Sequence, residues 1–364
     1  MTTNQKWGTT TTIADLAQWL EGKRKVVILT HTKPDGDALG STLAVLRALN
    51  LKAKNESTRI GVSMPAPAVA WYFGPQPPWA SGLIGHDNVL TPETSELSDM
   101  PEPDAIIILD TGSWSQLEPV REWLASRTDR AAVIDHHVQG DPDVAPRRVV
   151  ETSSAAACQI AADLCRRILG LESIAKLPGE IAQVLYLGIA TDTGWFKHSN
   201  VSPGVLRTAA SLLETGVDHA RLFQFIEQRD RPTRLKLLAR ALSSLELVDQ
   251  DRIAVMTLTR KDFADTGTES GDAGGFTDYC NSVESVRVVA VLSEVDGKEY
   301  GKPGATVTKI SMRSKSGPSH IDVNVVAKGM GGGGHVHAAG ARLDLPLMQA
   351  KARVIEEIRK QAVR

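Results

Sequence analysis

Residues 26–37 read Val26-Val27-Ile28-Leu29-Thr30-His31-Thr32-Lys33-Pro34-Asp35-Gly36-Asp37, and this stretch decides the fold. Four apolar residues in succession show no in–out alternation, so the strand they form is buried on both faces, as in a parallel sheet. A polar turn at 31–36 follows, then a helical pattern over 38–49. Two more apolar runs, 105–109 and 131–134, repeat the theme. Strands alternating with helices give an α/β fold with a mostly parallel sheet flanked by helices.

Outward from this core, a short helix is expected at 13–21, capped by Thr12. Residues 64–103 are rich in proline and glycine and read as long loops. Helices are expected at 154–169, 179–190, 203–214 and 219–227, with a further one from Pro232, at its first turn, to about 247. The pattern then changes to strands at 253–258, 286–293 and 306–313. A helix at 321–328, four glycines at 331–334 and a last helix at 347–360 complete the chain. The expected domains are therefore 1–229, a connecting helix at 230–248, and a smaller α/β domain at 249–364. A length of 364 residues suits two domains.

Composition excludes several classes of function. A formal net charge of -2 gives no global positive field for long-duplex nucleic acid, so phosphate binding needs a local basic or metal-lined pocket. The three cysteines form no CxxC pair, which speaks against disulfide stapling and a thiolate zinc site. The N-terminal residues 1–12 are polar and Thr-rich, without a signal peptide's apolar stretch. No run reaches the roughly 18 apolar residues of a membrane span. The expected protein is cytoplasmic and free of membrane.

The chemistry lies where acids and histidines fall. Each of the three apolar strands ends on groups that are costly to bury unpaired: His31, Asp35 and Asp37 after the first, Asp110 after the second, and Asp135, His136 and His137 after the third. Asp192 ends a largely apolar helix. Each piece alone reads as a turn or a helix cap. Together, five acids and three histidines at the carboxyl edge of one sheet repel one another unless cations hold them. Carboxylates and imidazoles without thiolates suit Mn²⁺ or Mg²⁺. The set is large enough for two ions, which can activate water and stabilise charge on both sides of an in-line attack on phosphorus.

These residues resemble the motifs of the DHH phosphoesterase superfamily. The stretch 31–41 is similar to the first motif, Leu109-Asp110-Thr111-Gly112 to the second, Asp135-His136-His137 to the naming signature, and Thr191-Asp192-Thr193-Gly194 to the fourth. The resemblance implies one metal on His31, Asp35 and Asp110, and a second on Asp37, Asp110, His136 and Asp192, with Asp110 bridging. It implies catalytic roles for Asp110, His136, His137 and Asp135, with His137 facing substrate phosphate and Asp135 orienting the neighbouring histidine. The cofactors are then two Mn²⁺, with Mg²⁺ the other candidate.

The segment Gly331-Gly332-Gly333-Gly334-His335, with Arg313 upstream, resembles the DHH-associated substrate-binding domain of the first type. Standing alone, such a run could be a linker, but glycines also let backbone N–H groups approach an anion. The resemblance implies Arg313 on substrate phosphate, glycines 332–334 cradling phosphate, and His335 on the nucleotide. His337 reads as structural. Arg229, Arg231, Arg234 and Lys236 read as a solvated face. The domain order resembles the stand-alone nanoRNase and 3'-phosphoadenosine 5'-phosphate phosphatase group. It implies Mn²⁺-dependent hydrolysis of short RNA or DNA oligonucleotides to mononucleotides, or of the nucleoside bisphosphate to AMP, and makes a homodimer reasonable. The competing readings are a pyrophosphatase or polyphosphatase, and a catalytically silent nucleotide-binding protein.

Overall fold

The computed structural model describes residues 6–97, 102–300, 304–317 and 320–362. The chain divides between Gln228 and Arg229 into two compact units. In the first, the strands are β1 (Val26–Leu29), β2 (Ala68–Trp71), β3 (Val89–Leu90), β4 (Ala105–Leu109), β5 (Ala131–Asp135) and β6 (Arg147–Val150). The helices are α1 (Ile13–Trp19), α2 (Gly36–Ile60), α3 (Ala80–Ile84), α4 (Arg121–Ala125), α5 (Ala157–Ile168), α6 (Gly179–Asp192), α7 (Pro203–Leu213) and α8 (His219–Glu227). The sheet runs β3-β2-β1-β4-β5-β6, and every pairing is parallel.

Every residue of β1, β4 and β5 is buried, because helical layers cover both faces of the sheet. One face carries the larger apolar cluster, with Ile28, Ile107 and Ile134 under α2, α5 and α6; the other carries Val27, Ile106 and Val133 with Leu117 and Leu124. The strand order reverses between β1 and β4. That reversal opens a crevice beyond their carboxyl ends, the place where such sheets bind ligands.

The second unit holds a mixed sheet in the order β11-β12-β10-β9-β8-β7. Its strands are β7 (Glu246–Val248), β8 (Ile253–Leu258), β9 (Val288–Asp296), β10 (Thr306–Ser314), β11 (Gly333–His335) and β12 (Ala338–Leu343). Helices α12 (Val323–Lys328) and α13 (Leu347–Ala362) cover one face, and α9 (Pro232–Ser243), α10 (Arg260–Thr266) and α11 (Thr277–Cys280) the other. The helix expected as a connector buries Leu237, Leu238 and Ala241 in this unit's own core. No helix among the described residues is long and apolar enough to cross a membrane.

Several expectations need correction. Residues 64–103 are not only loops: β2, α3 and β3 lie there, while 98–101 fall outside the described residues. Helix α2 runs to Ile60 rather than 49, because Leu51, Lys52, Ala53, Lys54, Glu56 and Arg59 favour helix over its partly exposed second half, and it ends at Gly61, whose φ of 70° is left-handed. The helix from Pro232 stops at Ser243 rather than 247, where the Ser244 hydroxyl pins the chain to both backbone groups of Thr257 on β8, each at 2.8 Å. Strand β6 went unseen because Arg147 and Arg148 mask its pattern, although Arg148 is only 1% exposed. The glycine run supplies an edge strand, Gly333–His335, paired antiparallel with β12.

Candidate metal centre

Each acid in the crevice is placed by a specific local device. Asp35 caps α2, its Oδ1 accepting from the amides of Asp37 and Ala38 at 3.0 and 3.2 Å. Asp37 is fully buried in the first turn of α2, and its carboxylate accepts from the Ala157 and Cys158 amides at 2.5 and 2.8 Å. Those amides open α5, so a helix N-terminus holds the charge. Cys158 is itself fully buried. Its amide has this added role, and no sequence signal marks it.

Asp110 leaves β4 with φ 61°, a left-handed conformation that aspartate tolerates better than most residues. The turn aims its nearly buried carboxylate into the crevice. Asp192 is the last residue of α6. Helices α2 and α6 meet on glycine. A Cβ on Gly40 would lie 2.4 Å from the Val184 carbonyl, and one on Gly188 would lie 3.0 Å from Asp37 Oδ1. This approach brings Asp37 and Asp192 to one histidine.

That histidine is His136. Its Nε2 lies 3.3 Å from Asp110 Oδ1, 3.5 Å from Asp192 Oδ2 and 3.8 Å from Asp37 Oδ2. On the other side, His31 Nε2 lies 3.5 Å from Asp110 Oδ2 and 4.0 Å from Asp35 Oδ1. Among the described residues, three groups of candidate ligand atoms therefore meet here: His31–Asp35–Asp110 and Asp110–His136–His137 share Asp110, and Asp37–His136–Asp192 joins the second through His136. Among the described residues, Asp110 Oδ1 is buried without a hydrogen-bond partner. Buried lone pairs in this state are expensive, and a cation satisfies them. The donor set and the orphaned oxygen both fit a pair of divalent ions.

Asp135, fully buried at the end of β5, accepts from the His136 and His137 amides at 2.7 and 3.1 Å, and from His137 Nδ1 at 2.7 Å. The ring it holds is thus that of His137, whose side chain is 54% exposed.

Electrostatics record the crowding. Burial, then Asp110 and Asp192, push Asp37 well above its ordinary value. Burial and then Asp110 raise Asp192 to about 6. Burial lowers His136, but Asp110, Asp37 and Asp192 outweigh it and lift the imidazole to about 9. Burial raises Asp110, yet the contacts with His136 and His31 leave it below its ordinary value. Both Asp192 and His136 bind protons more tightly in the folded chain. Their stabilising contributions are complete below the unfolded values and are lost as pH rises through about 6 and about 9 respectively. Divalent cations compete with those protons for the same atoms. The thermal stabilisation given by saturating Mn²⁺ is therefore expected to be larger at about pH 8 than at about pH 5.5. A Tm gain equal at both pH values would contradict this.

In the second unit, Arg313 stands exposed on β10, across from Ala338 of β12. Gly331 and Gly334 have left-handed φ of 75° and 151°. A Cβ on Gly332 would lie 2.1 Å from the Gly340 carbonyl, so the run needs glycine for close backbone approach. Glycines 331–333 line a cavity of about 440 Å³ with Lys309, Ser311 and Arg342. Arg313 is not among its lining residues, and His335 is exposed on β11. His337 Nδ1 meets the Ser314 hydroxyl at 3.0 Å. Arg231 pairs with Asp272 at 2.7 Å, and the Arg234 guanidinium donates to the Asp272 carbonyl at 3.0 Å.

Known proteins resemble the chain over both units. The family model for the DHH family, N-terminal domain, matches residues 25–189, and that for the DHHA1 domain matches residues 250–363. The chain is 32% identical to the bifunctional oligoribonuclease and PAP phosphatase NrnA of Thermus thermophilus, covering 98% of this chain and 96% of that one. It is 24% identical to the Bacillus subtilis protein of the same name, over 87% of this chain and 89% of that one. The crystal structure of an exopolyphosphatase-related protein from Bacteroides fragilis shares the fold, with a TM-score of 0.81, 22% identity and 96% coverage of both chains.

Proposed function

We propose that this chain, which belongs to the DHH family and carries a C-terminal DHHA1 domain, is a Mn²⁺-dependent phosphoesterase. It hydrolyses short oligonucleotides, dinucleotides included, to mononucleotides, and 3'-phosphoadenosine 5'-phosphate to AMP. One observation carries this reading. The likeness to a relative named for both activities spans nearly the whole of both chains, and its first half contains the converging clusters around Asp110.

His31, Asp35 and Asp110 would hold one ion, and Asp37, Asp110, His136 and Asp192 the other. When bound, the pair supplies Lewis acidity and neutralises charge on the phosphoryl oxygens. The chain's own groups do the rest. Asp110 joins the two clusters. Asp135 fixes the His137 ring through Nδ1 and raises its affinity for a proton, so Nε2 presents an N–H to a phosphate oxygen. Hydrolysis adds water across the P–O ester bond, and the leaving oxygen departs with a proton. Arg313 and glycines 332–334 bind substrate phosphate, and His335 contacts the nucleotide.

A substrate panel in Mn²⁺ tests the reading. Two- to five-residue RNAs should yield mononucleotides and the bisphosphonucleoside should yield AMP, while pyrophosphate should stay intact. Turnover of pyrophosphate alone, or nucleotide binding without turnover, would overturn it. Arg313→Ala should raise KM about 10-fold or more and leave kcat nearly unchanged, as expected for loss of a charge-assisted phosphate contact. An unchanged KM removes Arg313 from the site.

A further inference from the structure

The Thr-rich N-terminal segment has no part in the reaction proposed above, yet it is tied closely to the edge of the first sheet. The amides of Thr10 and Thr11 donate to the Arg148 carbonyl on β6 at 2.8 and 3.2 Å. The Thr10 hydroxyl accepts from the Arg148 amide and donates to the Pro146 carbonyl, each at 2.8 Å. The Thr9 hydroxyl donates to the Val150 carbonyl at 2.7 Å and accepts from its amide at 2.9 Å. The buried guanidinium of Arg148 gathers the carbonyls of Gly8, Pro142 and Ala145. Strap, edge strand and the loop after His137 are thereby joined.

At the head of the strap, the Trp7 indole is wedged between two glycines. A Cβ on Gly112, two residues past Asp110, would lie 1.8 Å from the ring; one on Gly140, three past His137, would lie 2.6 Å from it. The indole N–H donates to the His137 carbonyl at 3.0 Å. The loop has little packing of its own, since the His137 side chain is 54% exposed and Val138 is 77% exposed. Asp135 holds His137 from the sheet side, and Trp7 holds its backbone from the strap side.

We infer that Trp7 is a positioning residue for His137, fixing the height of its loop over the metal centre. The inference rests on the placement of His137 at the substrate phosphate. It also explains why positions 112 and 140 are glycine: any side chain there would strike the indole.

Trp7→Phe keeps an aromatic wedge and removes the N–H donor. Its kcat on short RNA should fall by about 10- to 100-fold, while the Tm gain from Mn²⁺ stays as in the wild type. The ring resonance of His137, assigned by its loss in His137→Gln, should shift, and those of His31 and His136 should not. Gly140→Ala, which drives a methyl into the indole, should move the same resonance. In the His137→Gln background, Trp7→Phe should cost no further activity. An unmoved His137 resonance, a wild-type kcat for Trp7→Phe, or an undiminished effect in the His137→Gln background overturns the inference. A wild-type protein inactive on the whole substrate panel would remove the proposed reaction instead, and the resonance would still decide the contact.

Discussion

Asp110→Asn is expected to lose Mn²⁺-dependent release of mononucleotide from a two- to four-residue RNA by about 1,000-fold or more, equal to at least about 4 kcal/mol of barrier. Asparagine keeps the size of the side chain and accepts the left-handed backbone at this position, where φ is 61°. Asp110→Ala should be at least as inactive and carries in addition a backbone cost of about 1 kcal/mol or more. The effect is large because Asp110 contacts both histidines, at 3.5 Å to His31 and 3.3 Å to His136. Losing its charge disables two clusters at once. Thermal denaturation with and without Mn²⁺ separates causes: the metal-induced gain should shrink sharply while the metal-free Asp110→Asn protein stays folded. Near-native activity in a folded Asp110→Asn protein would refute the two-metal arrangement.

The second large effect comes from a residue that offers no ligand atom. Gly188→Ala would put a methyl 2.3 Å from the buried Cys158 Sγ and 3.0 Å from the Asp37 Cα. Cys158 is fully buried, so the close-packed interior resists a swing of its thiol. Helix α6 must therefore move away from α5, which carries Cys158, and from α2, which carries Asp37. Overpacking of this kind costs about 1–3 kcal/mol, a fall in Tm of roughly 2–4 °C for each kcal/mol in a unit of this size. Separation also moves Asp37 and Asp192 apart, so Mn²⁺ affinity should drop by about 10-fold or more. Cys158→Ala removes the nearer clash, and the double variant should regain part of the lost stability. Unchanged Tm and Mn²⁺ affinity in Gly188→Ala would show that the helix approach does not set the site.

Much of this was readable in the residues themselves. The apolar runs at 26–29, 105–109 and 131–134 lack alternation because the sheet is covered on both faces, so strand identity and parallel pairing followed from local pattern. The acids and histidines stand directly after those strands, so their meeting followed from topology. Strand β6 was hidden because burial of Arg148 depends on carbonyls that its guanidinium meets only in the fold, those of Pro142 and Ala145 in the preceding loop and that of Gly8 far away in the chain. The reach of α2 to Ile60 was hidden because its second half is exposed and carries little apolar periodicity. The pairing of β11 with β12 was hidden because glycine has no side chain to alternate.

What the sequence by itself determined, then, is the class of fold and the set of groups at its carboxyl edge, because hydrophobic burial and strand termini are local properties of the chain. Tertiary structure alone decided how those groups are held: the left-handed turn at Asp110, the α5 amides on Asp37, and the wedge of Trp7 between Gly112 and Gly140. Each of these joins residues far apart in the chain or depends on a backbone conformation that pattern does not encode. Distances of a few ångströms between such residues exist only once the helices and strap have packed.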